Sequence, residues 1–255
     1  MDDSVDLRWL LEQWPFDSSK NARLARGSDG REILQVRLPL GLEQYEMEGR
    51  PDGRRPRGCD SLLNFHLHRL AGAKTRGQGA SFGLNAEECK ELFDEGMLYY
   101  QRYLQLFQLR DWKRTLRDTD RNIQLFDLVK QYAEREEDRQ YLEQWRPYVM
   151  RIRATAQAMA LVEKRSYAEA LETARNARAT VEGLPDMEND VFRLERQRAV
   201  TALGELAVHI QQSQPVSKLQ RLERELRQAI EAQAFEAAAK LRDEIRALRA
   251  QPPAG

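Results

Sequence analysis

Residues 222–248 read LERELRQAIEAQAFEAAAKLRDEIRAL. In the first half Leu222, Leu226, Ala229 and Ile230, with Leu219 just upstream, recur at three- and four-residue spacing. In the second half Ala238, Leu241, Ile245 and Leu248 do the same. Each half is a helix with one apolar stripe. The stretch therefore reads as two short amphipathic helices folded back on each other, with Phe235 opening the second. The same local grammar occurs twice upstream. Asp111-Trp112-Lys-Arg-Thr-Leu116 and Ser166-Tyr167-Ala-Glu-Ala-Leu171 also put an aromatic at the start of a helix, followed by small or apolar residues. An aromatic wedged at the bend, with small side chains behind it, lets antiparallel helices approach closely.

Working outward, almost everything from Asn85 onward has helical periodicity. Asn85-Ala-Glu-Glu88 is a capping box. Behind it Leu92, Phe93, Leu98, Tyr99, Tyr103, Leu106 and Phe107 form a stripe. Further helices are expected over 112–133, 139–164, 167–181 and 187–212, with Pro147 either kinking the second of these or restarting it. Ser217 to Gln220 supplies another capping box, ahead of the terminal hairpin. The segment 157–181 resembles a tetratricopeptide-type hairpin. The bend aromatics, however, recur at intervals of 55 and 68 residues, not at the fixed period of ~34 residues of a regular array.

The first eighty residues differ. A short helix over Leu7–Trp14 stops at Pro15. Ala22–Arg26 and Glu32–Leu38 are strand-like and flank Gly27-Ser-Asp-Gly30, a hairpin turn in which Asp and Gly tolerate positive φ. Leu42 to Glu48 alternates apolar with polar, the period of a third strand. Asp60 is expected to cap a helix carrying Leu62, Leu63, Leu67 and Leu70. Residues 71–84, with four glycines, read as a flexible linker. The expected fold is mainly α: a helical-hairpin, tetratricopeptide-like bundle or solenoid with a small N-terminal antiparallel β module. Its parts are a β-rich module over 1–70, a linker over 71–84, a helical-hairpin domain over 85–213 and a terminal hairpin over 216–250.

Composition narrows function by exclusion. Lys plus Arg and Asp plus Glu each total 41 in 255 residues, so there is no global basic excess of the kind that drives phosphate binding. The two cysteines, Cys59 and Cys89, lack CxxC spacing, which argues against a disulfide framework or structural zinc and suits a reducing cytoplasm. The start, MDDSVDLRWLLEQW, lacks the basic and apolar regions of a signal peptide, and no apolar run reaches the ~20 residues of a membrane span. Cys59, His66 and His68 do not make a metal site, because residues two apart on a helix point to different faces. The histidines read as helix-surface residues. The nucleotide-binding, nucleophile-elbow and metalloprotease motifs are missing, so no catalytic residue, cofactor or metal is expected.

The run Phe235-Glu236-x-Ala238-Ala239-x-Leu241-Arg242-Asp243-x-Ile245 resembles the UVR motif, the helical hairpin at the end of UvrB, within UvrC and in some regulators of the Clp protease. That resemblance implies contact with protein partners rather than chemistry. Two short helices bury little surface between them, so such a unit gains stability by docking or self-pairing. The expected partner-binding residues are Leu222, Leu226, Phe235, Glu236, Leu241, Arg242, Asp243, Ile245 and Leu248. The expected role is that of a cytoplasmic adaptor or regulator. Its partner would be another UVR-motif protein such as UvrB or UvrC, a Clp-type regulator, or a second copy of the chain. An accessory role in nucleotide excision repair is the alternative. A second segment, LEQYEMEGRPDGRRPRG over 42–58, resembles one found in bacterial proteins that also end in this motif. No activity comes with that resemblance. Its Arg50, Arg54, Arg55 and Arg57 either bind an anion or nucleic acid, or pair with nearby Glu43, Glu46 and Glu48. The aromatic run LYYQRYLQLFQ over 98–108 reads as core, with a peptide groove as the alternative.

Overall fold

The computed structural model describes residues 7–215 and 218–250. It is mainly helical, with one three-stranded sheet. It divides into two units, residues 1–210 and 211–255.

In the first unit α1 (Arg8–Gln13) precedes β1 (Ala22–Arg26), β2 (Glu32–Leu38) and β3 (Gly41–Glu46). The strands form an antiparallel meander in the order β1-β2-β3, with Leu24 opposite Leu34 and Leu34 opposite Tyr45. Gly30, at φ 81°, closes the first turn in the region that glycine adopts freely. Leu34 and Val36 lie two apart and so share a face. With Tyr45 and Met47 they bury against Leu106 and Leu109. The sheet thus has its core on α3 (Ala86–Gln108), and the β module and helical domain are one packed body rather than separate ones.

The expected linker is also packed. The helix α2 (Leu62–Thr75) runs into it, a 3₁₀ turn occupies Gly79–Ser81, and Leu84 is fully buried. The Leu84 N–H donates to Tyr132 O and the Glu134 N–H to Leu84 O, at 2.8 and 2.9 Å. Phe82 stacks edge-on against Tyr132 beneath the Arg69 guanidinium. Glycine content alone does not make a linker where apolar side chains between the glycines find a core. At the start of α2 the cap is Ser61, which accepts from the Asn64 N–H at 3.1 Å, and not Asp60.

The helices α4 (Trp112–Tyr132), α5 (Glu136–Glu143), α6 (Arg146–Glu163), α7 (Tyr167–Glu182) and α8 (Asp190–Ser213) follow. Pro147 sits in the first turn of α6, so of the two readings of this proline the restart holds, and α5 and α6 are separate helices. Asn85 forms the expected capping box with Glu88. Leu63, Leu92, Leu125 and Val129 form the main core, with Leu142 and Val149. Beyond it the core turns small: Ala154 and Ala199 pack with Val181 and Leu203, and Ala158, Ala170 and Ala174 pack with Ile210. Small side chains let α6, α7 and α8 approach closely.

The second unit contains α9 (Lys218–Glu231) and α10 (Phe235–Ala250), packed as a helical hairpin. The cap expected at Ser217 lies outside the described residues.

Candidate protein-docking site

Three helix pairs share one bend. The residue two before each bend aromatic is left-handed: Arg110 at φ 61°, Arg165 at 62° and Gln233 at 56°. The N–H of the next residue reaches back five residues, Asp111 to Leu106 O, Ser166 to Leu161 O and Ala234 to Ala229 O, at 2.9, 2.9 and 2.8 Å. This is a Schellman closure, which satisfies carbonyls left open at a helix end.

The aromatics after these bends differ in their surroundings. Trp112 is 8% exposed. It packs edge-on against Phe107 and donates its indole N–H to Glu163 Oε1 at 2.7 Å. Tyr167 is half-buried against the alanine-rich core of Ala158, Ala170 and Ala174. Phe235 is 71% exposed, and Ile230 beside it is 54% exposed. The hairpin tip therefore carries an aromatic and a β-branched side chain in solvent.

The expected partner-binding residues separate into two groups. Leu222 and Ile245, with Ala238, are buried. Leu226, Leu241 and Leu248 are half-buried. This stripe is the buried side of the hairpin in which α9 packs on α10. Phe235, Glu236, Arg242 and Asp243 are exposed. Arg242 and Asp243 lie 3.4 Å apart, an exposed pair that contributes little to stability and remains free to exchange partners.

The arginine-rich loop is anchored. Arg50 pairs with Asp52 at 3.0 Å and with buried Glu95 at 3.4 Å. Arg57 pairs with Glu91 at 2.7 Å and lies over the Phe65 ring. Arg55 pairs with Asp60 at 2.9 Å, and Arg54 approaches Asp52 at 3.9 Å. Arg54 and Arg55 are largely exposed and border a cleft of about 800 Å³ that also holds Glu32, Glu46, Glu48 and Asp60. Arg31, Arg50 and Arg114 line it as well, so both signs of charge face the cleft. Of the carboxylates expected to neutralise the loop, Glu43, Glu46 and Glu48 turn elsewhere. Glu43 meets Tyr45, Glu46 meets Arg31, and Glu48 meets Arg117.

The partners that hold the loop were not singled out by the sequence. Glu95 accepts from the N–H groups of Leu62 and Leu63 at 2.8 and 3.1 Å and from Arg121. Arg102 forks onto Asp118 and donates to the carbonyls of Glu46 and Gly49 at 2.7 and 3.0 Å. Gly49 sits at φ 63°, which turns its carbonyl toward that guanidinium. No signal in the sequence pairs Glu95 and Arg102 with Asp118 and Arg121, since charges on a helix do not name their partners on the next one.

His66 is fully buried, not on the helix surface, and both ring nitrogens lack a hydrogen-bond partner. Burial and the nearby Arg69 lower its pKa to about 4. His68 is exposed. Among the described residues no cluster of three His, Cys, Asp or Glu side chains is arranged to hold a metal ion. Among them no helix is long and apolar enough to cross a membrane.

No curated protein and no solved structure matches the chain significantly. The terminal hairpin itself, over residues 217–251, matches the family model described as the UvrB/uvrC motif.

Proposed function

We propose that the chain is a non-catalytic interaction protein that captures a protein partner through the tip of its terminal hairpin. The observation that carries this reading is the exposure of Phe235. The same backbone bend covers its aromatic at Trp112 and partly covers it at Tyr167, yet leaves Phe235 and Ile230 in water. Exposed large apolar side chains beside exposed charge mark a contact surface when they cluster. Phe235 and Ile230 supply the apolar anchor, and Glu236, Arg242 and Asp243 set partner choice. The UvrB/uvrC motif match supports a partner of the same kind, a second helical hairpin carried by UvrB, UvrC or another protein with the motif.

Affinity capture tests this with the full chain, a Phe235→Ala chain and a chain ending at Pro215, each offered purified UvrB and UvrC. Capture by the full chain, and loss of capture in both variants, is the expected result. Equal capture by all three overturns the reading.

A further inference from the structure

A second docking surface lies in the first unit, at the open edge of the sheet. The Arg37 N–H donates to Asn21 O at 2.6 Å, and the Gly27 N–H to Arg31 O at 2.9 Å. In an antiparallel pair such bonds fall on alternate residues, so Asn21, Arg23, Ala25 and Gly27 turn their backbone groups toward β2. The N–H and carbonyl groups of Ala22, Leu24 and Arg26 point away from it. Among the described residues nothing bonds to them. The opposite edge is closed at Glu46, whose N–H donates to Pro51 O at 2.8 Å and whose carbonyl accepts from Arg102 at 2.7 Å.

The side chains along β1 define what pairs with it. Leu24 lies opposite Leu34, which lies opposite Tyr45, so the three form one cross-strand row. Leu34 and Tyr45 are buried, while Leu24 ends the row 42% exposed. An apolar residue on a further strand would extend the row and cover it. Both charged residues of β1 are cations, Arg23 and Arg26. Arg23 donates to Gln35 Oε1 at 2.9 and 3.1 Å and lies over the Trp14 ring at 4.0 Å. Those contacts hold it in place without neutralising it. Arg26 is exposed, and no described carboxylate pairs with it. Glu32, directly opposite, reaches Arg114 at 2.7 Å instead, and Asp29 in the adjoining turn holds Arg31. Unneutralised cations on an edge disfavour a second β1 and favour a strand that carries acids.

We propose that β1 takes an extended, acidic segment of a partner protein as a fourth strand of the sheet. The segment pairs with the backbone of Ala22, Leu24 and Arg26, sets an apolar residue beside Leu24, and places carboxylates beside Arg23 and Arg26. For an antiparallel strand that pattern reads acid, any residue, apolar, acid.

The test titrates three peptides into the full chain, with its backbone amides followed by NMR. The probes are acetyl-Thr-Glu-Thr-Val-Glu-Thr-amide, its counterpart with glutamine in place of both glutamates, and the acidic peptide N-methylated at valine and at the threonine before it. Methylation at two successive amides blocks backbone pairing along both edges of the peptide. The acidic peptide should slow amide exchange at Ala22, Leu24 and Arg26, and in low salt should bind about fivefold more tightly than the glutamine peptide. The methylated peptide should leave those amides unprotected. Arg26→Gln alters an exposed side chain, so it should retain the fold and weaken the acidic peptide about twofold. Equal binding of the acidic and glutamine peptides, protection by the methylated peptide, no protection at Ala22, Leu24 and Arg26, or unchanged affinity in Arg26→Gln overturns the proposal. So does slower exchange at the same amides when the chain is concentrated without peptide, which assigns the edge to a second copy.

Discussion

Arg102 and Asp118 form an enclosed, two-pronged ion pair, with Nε and Nη2 donating at 2.7 and 2.8 Å and both side chains 1% exposed. The remaining Arg102 nitrogen, Nη1, holds the carbonyls of Glu46 and Gly49, at the end of β3 and in the loop that follows. One guanidinium thus joins two helices to the sheet. Removing Arg102 leaves buried Asp118 with only the part-exposed Arg117 Nε, at 3.0 Å, and strands the carbonyls of Glu46 and Gly49. The cost is about 3 kcal/mol, the low end for a broken buried pair. Arg102→Met should therefore lower stability by about that much in urea denaturation. The double change Arg102→Met with Asp118→Leu should recover part of the loss. Amide exchange in β3 should accelerate in the single variant before the helical core opens. If Arg102→Met is neutral, the pair does not hold the sheet.

Much of this fold was legible because apolar period is a physical requirement. The stripe through Leu92, Tyr99, Tyr103 and Leu106 has to be buried, and it is. The three strands and their turn were likewise written in Ile33, Leu34 and Val36 and in Gly30. What escaped detection was of other kinds. Asp60 and Ser61 are both good caps, and only the backbone path selects Ser61. Buried Glu95, Arg102, Asp118 and Arg121 look like a solvated face in sequence, because charge gives no sign of its partner across a helix interface. His66 did carry a signal, lying four residues from both Leu62 and Leu70 and so on their face. The hairpin was legible as a hairpin. That Phe235 is exposed while Trp112 is covered was not, since the local grammar of the two bends is the same.

The left-handed residue at each bend makes a direct prediction. A side chain there crowds the following carbonyl and costs about 1–2 kcal/mol, a cost glycine avoids. Arg165, at φ 62°, is exposed. Arg165→Gly should stabilise the chain by about 0.5–1 kcal/mol, after allowing for the extra freedom of glycine in the unfolded state. For a chain of this size that is a rise in Tm of about 2 °C by calorimetry. A lower Tm would mean that Arg165 makes contacts that outweigh the backbone cost.

The two thiols should separate cleanly in reactivity. Cys89 is fully buried, and burial together with the nearby Asp138 and Glu88 pushes its thiol up to about 12. It is therefore protonated at neutral pH as well as sheltered, and the thiolate is the reactive species. Cys59 is half-exposed in the loop before α2. A thiol-specific chromogenic disulfide reagent should titrate one thiol rapidly under native conditions and the second only in denaturant. Loss of the fast phase in Cys59→Ser would assign it, and rapid reaction of both thiols would contradict the burial of Cys89.

His66 sets the acid side of stability. Its ring is enclosed, flanked by Phe65 at 5.1 Å between centroids, and burial with Arg69 lowers its pKa from 6.5 to about 4. Between those values the unfolded chain binds a proton that the folded chain does not, so acid favours unfolding. The contribution of this group to stability is fully present above pH 6.5 and falls as pH drops from 6.5 to about 4. Below about 4 it changes no further, and the whole loss is at most about 3 kcal/mol. Wild-type urea midpoints should therefore decline between pH 7.5 and 5, a window largely above carboxylate titration. His66→Leu removes the titrating ring and its two unpartnered nitrogens while filling the same space, so its midpoint should be flatter across that window. Parallel slopes in the two chains would show that the decline originates elsewhere.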